Sequence, residues 1–469
     1  MKEFRRPNVL IIYTDQQRYD TLRCNGNSRI VSPYLDSLAS NGARLSNKFV
    51  QSPVCMPSRM SMLTGRYCSS LGIGSNGIPF DESTMIPINN LLKPYGYNTA
   101  QIGKLHFDPH SNRNHKNPTS TYGFDTFILS DEPGCYDDAY TKWVESINPD
   151  ELKHTRISLP PAAEYRGEKS YSNQPRETHE PYEYKGSKDF THSSFVASET
   201  CKYIRQNKDR LFFAIAGFYA PHTPVNPPKE FIDLYNINDI PSPIVDSEDK
   251  VMHNLKNVSN DDWKKVKLYY YALVSHVDDC IGQIIKTLKE EGLFEDTIIV
   301  FTSDHGEYLG DHGRIQKGMP AEDCISKVPT IITYPKKIKP NTVINLITES
   351  VDIAPTILDF CGVQIPQFVQ GKSMKNLLQG KTDEHKEAAL TEYFDTDKFK
   401  AACIRTKKFR YYFDDSGNEV LFDIEDDKNE TTNVISDVKY VDDLSSLRKL
   451  MMDKMLAAGY SRMDKFVEY

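Results

Sequence analysis

Short apolar runs alternate along this chain with longer segments of helical spacing. Asn8–Tyr13, Leu211–Ala216 and Thr297–Thr302 are largely apolar and rich in β-branched residues, which indicates buried strands of a parallel sheet. Further strands are predicted at Asn98–Ile102 and Val328–Thr333. Apolar positions at helical spacing predict helices at Ser32–Asn41, Ile88–Tyr95, Phe190–Asn207, Asp261–Glu291 and Val351–Phe360. Strands that alternate with helices favour an α/β fold with a mostly parallel sheet.

Two regions interrupt this alternation. Residues 131–188 are rich in Pro, Glu, Tyr, Ser and Asn and have weak periodicity, so we expect a long surface excursion. After residue 371, short antiparallel strands are predicted at Ala402–Thr406, Phe409–Phe413 and Glu419–Asp423, and a terminal helix at Val441–Ala458. We therefore expect a large N-terminal domain over residues 1–371 and a smaller α+β subdomain over residues 372–469.

Composition and charge narrow the class of protein. The 469 residues carry a net charge of −8, which argues against a nucleic-acid partner. The apolar runs are far shorter than the roughly 20 residues that cross a bilayer, so we expect no membrane span. No export signal is visible, which predicts a cytoplasmic protein as written, or a periplasmic or secreted one if a signal has been removed. The nine cysteines are scattered without a C-x-x-C pair, so a disulfide framework is not expected.

Two of the predicted strands end in polar clusters. Asp15 and Gln16 follow the first strand, and Asp304 and His305 follow Thr297–Thr302. Ligands of parallel sheets bind beyond the carboxyl ends of the strands. Carboxylate and amide oxygens suit a hard divalent cation, with Ca²⁺ the leading choice; Mn²⁺ and Mg²⁺ stay open because an imidazole joins only two carboxylates. The alternative is that both aspartates merely cap helices.

Short motifs surround these clusters along the chain. Cys55-Met56-Pro57-Ser58-Arg59 is followed by Thr64-Gly65-Arg66, and then come Lys104-Leu105-His106, Pro221-His222-Thr223-Pro224 and Asp304-His305-Gly306, with Lys317 downstream. In this order, and with Asp15-Gln16 before them, they resemble the type I, formylglycine-dependent sulfatases of the alkaline phosphatase-like superfamily. The resemblance spans Asn8 to about Gly371 and extends more weakly to the C-terminal strands and helix.

The resemblance implies a fold, an activity and a set of site residues. The fold is a large mixed, mostly parallel sheet sandwiched by helices, with a smaller C-terminal subdomain. The activity is the hydrolysis of sulfate esters after a maturation enzyme has oxidised Cys55 to formylglycine. The implied metal ligands are Asp15, Gln16, Cys55, Asp304 and His305, and the implied catalytic residues are Cys55, Arg59, Lys104, His106, His222 and Lys317.

The chemistry gives a reason for an aldehyde at position 55. A serine nucleophile would end as a stable sulfated serine. A hydrated aldehyde has two hydroxyls, so one attacks sulfur and the other then loses its proton and expels sulfate. Pro57 suits the first turn of a helix, which would put residue 55 at the positive end of the helix dipole. Arg59 would share that helix face and could hold the hydrated aldehyde.

The other roles follow from the resemblance. Lys104 and Lys317 bind the sulfate, His106 takes a proton from the hydrated aldehyde, and His222 gives one to the leaving oxygen. Lys104 and His106 are two residues apart, so an extended segment would turn both to the same side. His110, His115 and His312 are weaker candidates for lining the pocket.

Several alternatives remain open for the substrate and the class of protein. The expected substrate is a small-molecule or oligosaccharide sulfate ester, with a sulfated carbohydrate favoured. A phosphonate or phosphate-diester hydrolase is the second hypothesis, because Gln16 and His305 stand where sulfatases often have Asp and Asn. A small-molecule sulfatase such as choline sulfatase is a third, since Gly103–Phe107 is similar to its segment. Three further hypotheses concern Cys55: it is a buried apolar residue, a reactive unmodified thiol, or part of a non-catalytic protein that binds sulfated glycans.

Overall fold

The computed structural model describes residues 5–109, 117–158, 178–245, 251–395 and 398–459. Its strands are β1 (Asn8–Asp15), β2 (Ala43–Leu45), β3 (Lys48–Phe49), β4 (Asn98–Gly103), β5 (Thr126–Leu129), β6 (Phe212–Pro221), β7 (Thr297–Ser303), β8 (Thr330–Thr333), β9 (Thr342–Ile344), β10 (Thr348–Glu349), β11 (Ala388–Asp395), β12 (Phe399–Thr406), β13 (Phe409–Asp414) and β14 (Glu419–Asp423). Its helices are α1 (Pro33–Ser40), α2 (Cys55–Thr64), α3 (Cys68–Leu71), α4 (Ile88–Leu92), α5 (Ala139–Ile147), α6 (Leu152–Thr155), α7 (His192–Gln206), α8 (Lys229–Ile232), α9 (Asn260–Glu290), α10 (Asp323–Ser326), α11 (Ile353–Phe360), α12 (Lys375–Leu378) and α13 (Val441–Gly459).

The largest sheet among the described residues has eight strands in the order β5-β4-β6-β1-β7-β8-β2-β9. The five strands from β5 to β7 in this order run parallel to one another. Strand β8 runs antiparallel to both of its neighbours, β7 and β2. The sheet is therefore mixed and mostly parallel, which confirms the predicted fold class.

Helices cover both faces of this sheet, and the central strand β1 is therefore buried along its whole length. Val9, Ile11 and Tyr13 pack into a core with apolar residues of α2, α4 and α11. Leu10 and Ile12 point the opposite way and pack into a core with α1, α7 and α9. The alternation of side chains along a strand thus accounts for the two helical layers.

The longest helix, α9, is set by clear local signals. Ser259 caps its first turn by accepting a hydrogen bond from the Asp262 N–H, and the Asp262 carboxylate in turn accepts one from the Ser259 N–H. Gly292 follows its end with φ of +68°, a conformation that favours glycine. These signals explain why the prediction of Asp261–Glu291 differs from α9 by only one residue at each end.

The C-terminal strands form an antiparallel sheet in the order β11-β12-β13-β14. Helix α13 packs on it through Leu444, Leu447 and Met451. The α+β character of this part is confirmed, although β11 was not predicted. The domain boundary at residue 371 stays a prediction.

The described part of residues 131–188 contains α5 and α6, which the sequence pattern did not predict. Asp138 caps α5 by accepting a hydrogen bond from the Thr141 N–H at 3.0 Å. Across the described residues, no helix has both the length and the apolar character needed to cross a membrane.

Candidate active site

The polar residues expected to act together follow four neighbouring parallel strands. Lys104 follows β4, His222 follows β6, Asp15 ends β1 and Asp304 follows β7, and these strands are adjacent in the order β4-β6-β1-β7. Carboxyl ends of parallel strands meet at one edge of a sheet. The topology therefore brings to one place residues that lie 82 to 289 positions apart in the chain.

Two glycines bring β4 and β6 unusually close at this edge. Gly103 has φ of +87°, and a Cβ there would lie 2.2 Å from the carbonyl oxygen of Gly217. The Lys104 N–H donates to that same carbonyl at 2.8 Å. The fully buried Lys104 then reaches across to Asp15, with Nζ 2.8 Å from Oδ2.

Cys55 is the first residue of α2 and is almost completely buried. Its Sγ lies 3.2 Å from His305 Nε2, 2.6 Å from Lys317 Nζ and 3.9 Å from Asp15 Oδ1. Pro57 lies in the first turn of α2, as predicted. The residue at position 55 therefore stands at a helix N-terminus among charged and polar groups rather than in an apolar core.

The thiol of Cys55 is poorly suited to act as a thiolate. Burial and the negative charge of Asp15 raise its pKa to about 11, although Lys317 and Lys104 act in the opposite direction. A thiol with this pKa is protonated at neutral pH, and the thiolate is the nucleophilic form. These values disfavour the hypothesis of a reactive, unmodified cysteine.

Arg59 neutralises the two carboxylates of the site. Its guanidinium contacts Asp304 Oδ2 at 2.8 Å and Asp15 Oδ2 at 3.1 Å, and all three side chains are buried. Burial opposes the ionisation of Asp15, but the charges of Lys104, His222, Arg59 and Lys317 outweigh it and hold the pKa of this carboxyl well below its usual range. Neither aspartate acts as a helix cap in the described structure, so that interpretation is wrong.

The donor atoms of Asp15, Cys55, Asp304 and His305 lie within 4.8 Å of one another. The Nδ1–H of His305 donates to the Gly306 carbonyl at 2.8 Å, which leaves the lone pair of Nε2 on the side of the cluster. Gln16 Oε1 is buried and has no hydrogen-bond partner among the described residues. Oxygen atoms predominate in this donor set, and the buried amide oxygen of Gln16 lacks a partner among the described residues. Both features fit a divalent cation.

His222 and Lys317 lie side by side next to Cys55. The Nδ1–H of His222 donates to the Thr223 carbonyl at 2.8 Å, and Nε2 lies 3.3 Å from Lys317 Nζ. Burial and the positive charge of Lys317 hold the pKa of His222 well below its ordinary value. His222 also borders a cavity of about 70 Å³ whose lining includes Tyr140, Tyr184 and Tyr219.

His106 does not continue an extended segment, so that expectation was wrong. It has φ of +58°, in the left-handed region. The N–H groups of Leu105 and His106 both donate to Asp131 Oδ1, at 2.7 Å and 2.9 Å. The chain turns at this point because one carboxylate gathers two consecutive backbone donors.

The structure describes one of the three weaker histidine candidates, His312. His312 lines a separate cavity of about 190 Å³ together with Arg18 and Glu430. His110 and His115 lie outside the described residues.

Sequence reasoning missed two buried acidic residues next to the site, Glu307 and Glu132. Glu307 accepts a hydrogen bond from Gln16 Nε2. Glu132 lies 3.9 Å from Lys104 Nζ and accepts a hydrogen bond from the Tyr219 hydroxyl at 3.0 Å. The only sequence signal for Glu307 was its place directly after Asp304-His305-Gly306, whereas Glu132 falls in the excursion without any motif.

Comparison with known proteins identifies the class. A family model described as Sulfatase matches residues 7–363, and one described as N-sulphoglucosamine sulphohydrolase, C-terminal, matches residues 310–457. The arylsulfatase of Clostridium perfringens (strain 13 / Type A) is 30% identical over 484 residues, which cover 96% of this chain and 94% of that protein. The N-acetylglucosamine-6-O-sulfatase of Bacteroides thetaiotaomicron is 27% identical, with coverage of 96% and 86%.

Solved structures agree with the architecture. The phosphonate monoester hydrolase of Agrobacterium radiobacter superposes with a TM-score of 0.81 over 96% of both chains, at 24% identity. The chain belongs to the sulfatase family, which is a family of sulfuric ester hydrolases. The resemblance predicted from the motifs is therefore confirmed.

Proposed function

We propose that this protein hydrolyses sulfate esters of carbohydrates, with residue 55 as the nucleophile after Cys55 has been converted to formylglycine. The observation that carries the proposal is the setting of Cys55: a buried helix N-terminus within 3.9 Å of Asp15, His305 and Lys317. The hydrate of the aldehyde supplies the attacking oxygen. A formylglycine-generating enzyme is the partner that this maturation requires.

Asp15, Gln16, Asp304 and His305 would hold the cation, together with the oxygen that replaces the sulfur of residue 55. Ca²⁺ is the first choice because oxygen atoms predominate, and Mn²⁺ or Mg²⁺ are the alternatives because His305 offers a nitrogen. When bound, the cation polarises sulfate oxygens and stabilises developing negative charge. Arg59 supports the site by holding Asp15 and Asp304 ionised in a buried environment.

Lys104 and Lys317 supply the positive charge that attracts a sulfate group. Lys104 Nζ lies 4.5 Å from the centre of the Tyr219 ring and is fully buried, so its charge is poorly screened by water. Lys317 already contacts position 55, where the sulfur atom of a substrate would have to approach. One buried and one partly buried lysine beside one nucleophile favour an anionic substrate over a neutral one.

His222 is the proposed proton donor to the leaving oxygen. Its Nδ1–H is committed to the Thr223 carbonyl, so Nε2 is the nitrogen that exchanges a proton with the substrate. Lys317 lowers the pKa of His222 in the unliganded protein. A bound sulfate would offset that positive charge, so binding of substrate itself would favour the protonated, acid form of His222.

His106 remains the proposed acceptor of the proton that the hydrated aldehyde loses when sulfate is expelled. The two hydrogen bonds from Leu105 and His106 to Asp131 fix the loop that carries this side chain. A fixed loop supports a role in which the imidazole has to stand at one position.

A sulfated carbohydrate is the favoured substrate class. It is supported by the similarity to a relative named for N-acetylglucosamine 6-O-sulfate hydrolysis, which spans 96% of this chain. The second candidate, a phosphonate or phosphate-diester hydrolase, is favoured by one observation: among the described residues the cluster contains two carboxylates and the imidazole of His305, and Gln16 rather than a further acid follows Asp15. A small-molecule sulfate ester, as for a choline sulfatase, is the third candidate.

Relative rates on three substrate types decide among these functions. The matured enzyme is assayed with a panel of sulfated mono- and disaccharides, an aryl sulfate and choline sulfate, and an aryl phosphonate monoester of matched leaving group. We expect the highest kcat/KM on a sulfated sugar. A clear preference for the phosphonate would overturn the proposal, and a preference for choline sulfate would overturn the carbohydrate part of it.

A further inference from the structure

We propose that Glu307 is a positioning residue that turns the amide of Gln16 so that its oxygen, and not its nitrogen, faces the divalent cation. The inference rests on the metal site of the proposed function. It assigns a role to a buried acid that the motifs did not single out.

Glu307 is fully buried and uses both carboxylate oxygens as acceptors. Oε2 accepts a hydrogen bond from Gln16 Nε2. Oε1 accepts from the backbone N–H of Leu309 at 3.2 Å and from the backbone N–H of Gln316. All three described groups that face the Glu307 carboxyl are therefore N–H donors: the Gln16 amide nitrogen on Oε2 and two backbone N–H groups on Oε1.

This contact sets which end of the Gln16 amide points away. The NH₂ end faces Glu307, and the oxygen is therefore the free end. Oε1 is buried and lacks a hydrogen-bond partner among the described residues, which is costly unless a ligand completes it. An amide oxygen is a ligand for Ca²⁺ or Mg²⁺, whereas an amide NH₂ group offers no lone pair to a cation.

The backbone of Gln16 is held in place by hydrogen bonds of its own. Its N–H donates to Asp304 Oδ1 at 3.0 Å, and its carbonyl accepts a hydrogen bond from the Tyr270 hydroxyl. With both backbone groups held, the side-chain torsions of Gln16 decide where its amide points, and Glu307 accepts a hydrogen bond from that amide nitrogen.

Glu307 also ties this ligand to the loop that carries a proposed catalytic cation. Gln316, whose N–H it binds, has φ of +61°, and the next residue is Lys317, whose Nζ contacts Cys55. One oxygen of this carboxylate thus binds the amide of a metal ligand, and the other binds the backbone directly before Lys317.

The test is the isosteric change Glu307→Gln. Backbone N–H groups cannot reverse, so the oxygen of the new side chain should face Leu309 and Gln316, and its NH₂ should face Gln16. The Gln16 amide should then flip and turn its nitrogen to the cation. Titration calorimetry of chelator-stripped protein with Ca²⁺, Mn²⁺ and Mg²⁺ alone should show affinity lowered about 10–100-fold for the best metal.

A second change should restore what the first removes. In Gln16→Glu combined with Glu307→Gln, the acid and the amide exchange places, so the carboxylate at position 16 accepts from the new NH₂ and still offers an oxygen to the cation. Metal affinity should return to within a few-fold of wild type. Glu322→Gln is the matched control, because Glu322 is equally buried and hydrogen-bonded to the Tyr308 hydroxyl at 2.6 Å, and its affinity should be unchanged.

Each outcome decides the matter. Unchanged affinity in Glu307→Gln, or a double variant that stays as weak as the single one, overturns the orienting role. The absence of any binding to wild type overturns it as well. If the single variant does not fold, the double variant decides alone: near-wild-type affinity supports the role and a loss above tenfold contradicts it. Metal titration measures no hydrolysis, so a failure of the sulfatase proposal would be seen separately in the substrate panel.

Discussion

Cys55 is the residue on which turnover depends in this account. Replacing it by alanine removes one small side chain, so we expect no measurable sulfate release and a folded protein. Cys68→Ala is the matched control, because Cys68 is also buried and its thiol contacts only the Gln51 and Pro57 carbonyls among its described hydrogen-bond partners. Rates on an aryl sulfate and melting temperatures are measured for both variants. Turnover by Cys55→Ala at a rate close to that of wild type would contradict the assignment.

His222 should matter most when the leaving group is poor. A phenolate leaves with little protonation, whereas a sugar alkoxide needs a proton, so His222→Ala should slow sugar sulfates by about 10²–10⁴-fold and activated aryl sulfates much less. His276→Ala, which changes another histidine lining the same cavity, should show no such dependence. The check is kcat/KM across a series of leaving groups, and an equal loss on all of them would remove the acid role.

At the scale of the elements, the contact of β4 with β6 positions Lys104. Gly103→Ala would put a Cβ 2.2 Å from the Gly217 carbonyl oxygen and would push the two strands apart. We expect a loss of stability beyond the ~1–2 kcal/mol that a left-handed alanine costs, together with a large fall in kcat/KM. Gly96→Ala is the control, since Gly96 has the same φ of +87° and open space around its Cβ position.

Urea unfolding and sulfate hydrolysis measure the two effects. If both glycine variants lose the same stability and keep the same kcat/KM, the close approach of β4 and β6 does not position Lys104. The comparison separates the backbone cost, which both variants share, from the steric displacement, which only Gly103→Ala should suffer.

The sequence predicted these elements unevenly, for physical reasons. The central strands β1, β6 and β7 are buried on both faces, so they stand out as apolar runs. Strands β2 and β9 have three residues each, too few for any periodicity, and the antiparallel direction of β8 leaves no trace in its composition.

The residues of the site were also predictable only in part, for similar reasons. Motifs at strand ends were recognisable because the topology of an α/β sheet gathers such ends. The pair of Gln16 and Glu307 spans 291 positions and depends on the loop geometry after β7, so no local pattern could predict it.

At the scale of the whole molecule, a buried ion cluster links the chain just before the C-terminal sheet to β10 and the turn that follows it. Lys386, just before β11, contacts Glu349 at 2.5 Å and Asp352 at 2.6 Å, and both carboxylates are fully buried. Lys386→Met would remove the lysine that both buried carboxylates share and should destabilise the protein by about 3–5 kcal/mol, whereas Lys381→Met, at an exposed position, should have little effect. Denaturant unfolding checks this, and equal stability of the two variants would contradict it.

The same cluster predicts a response to acid. Burial disfavours the ionised form of Asp352, but the charge of Lys386 and contact with His385 outweigh it and lower its pKa to about 2. A carboxyl with a lowered pKa in the folded state stabilises the protein above its ordinary pKa of 3.8. That stabilisation should disappear as the pH falls from 3.8 towards 2, and Lys386→Met should not show this part of the acid transition.

The conversion of Cys55 is the central claim, and the mass of one peptide tests it most directly. Protein produced together with a formylglycine-generating enzyme is digested with trypsin, and the fragment of residues 49–59 is weighed. We predict a fragment that is lighter than the cysteine form by one sulfur and two hydrogens less one oxygen. The fraction of this lighter fragment should rise in proportion to the measured sulfatase activity. A fully active protein whose residue 55 is entirely an unmodified cysteine would contradict the account.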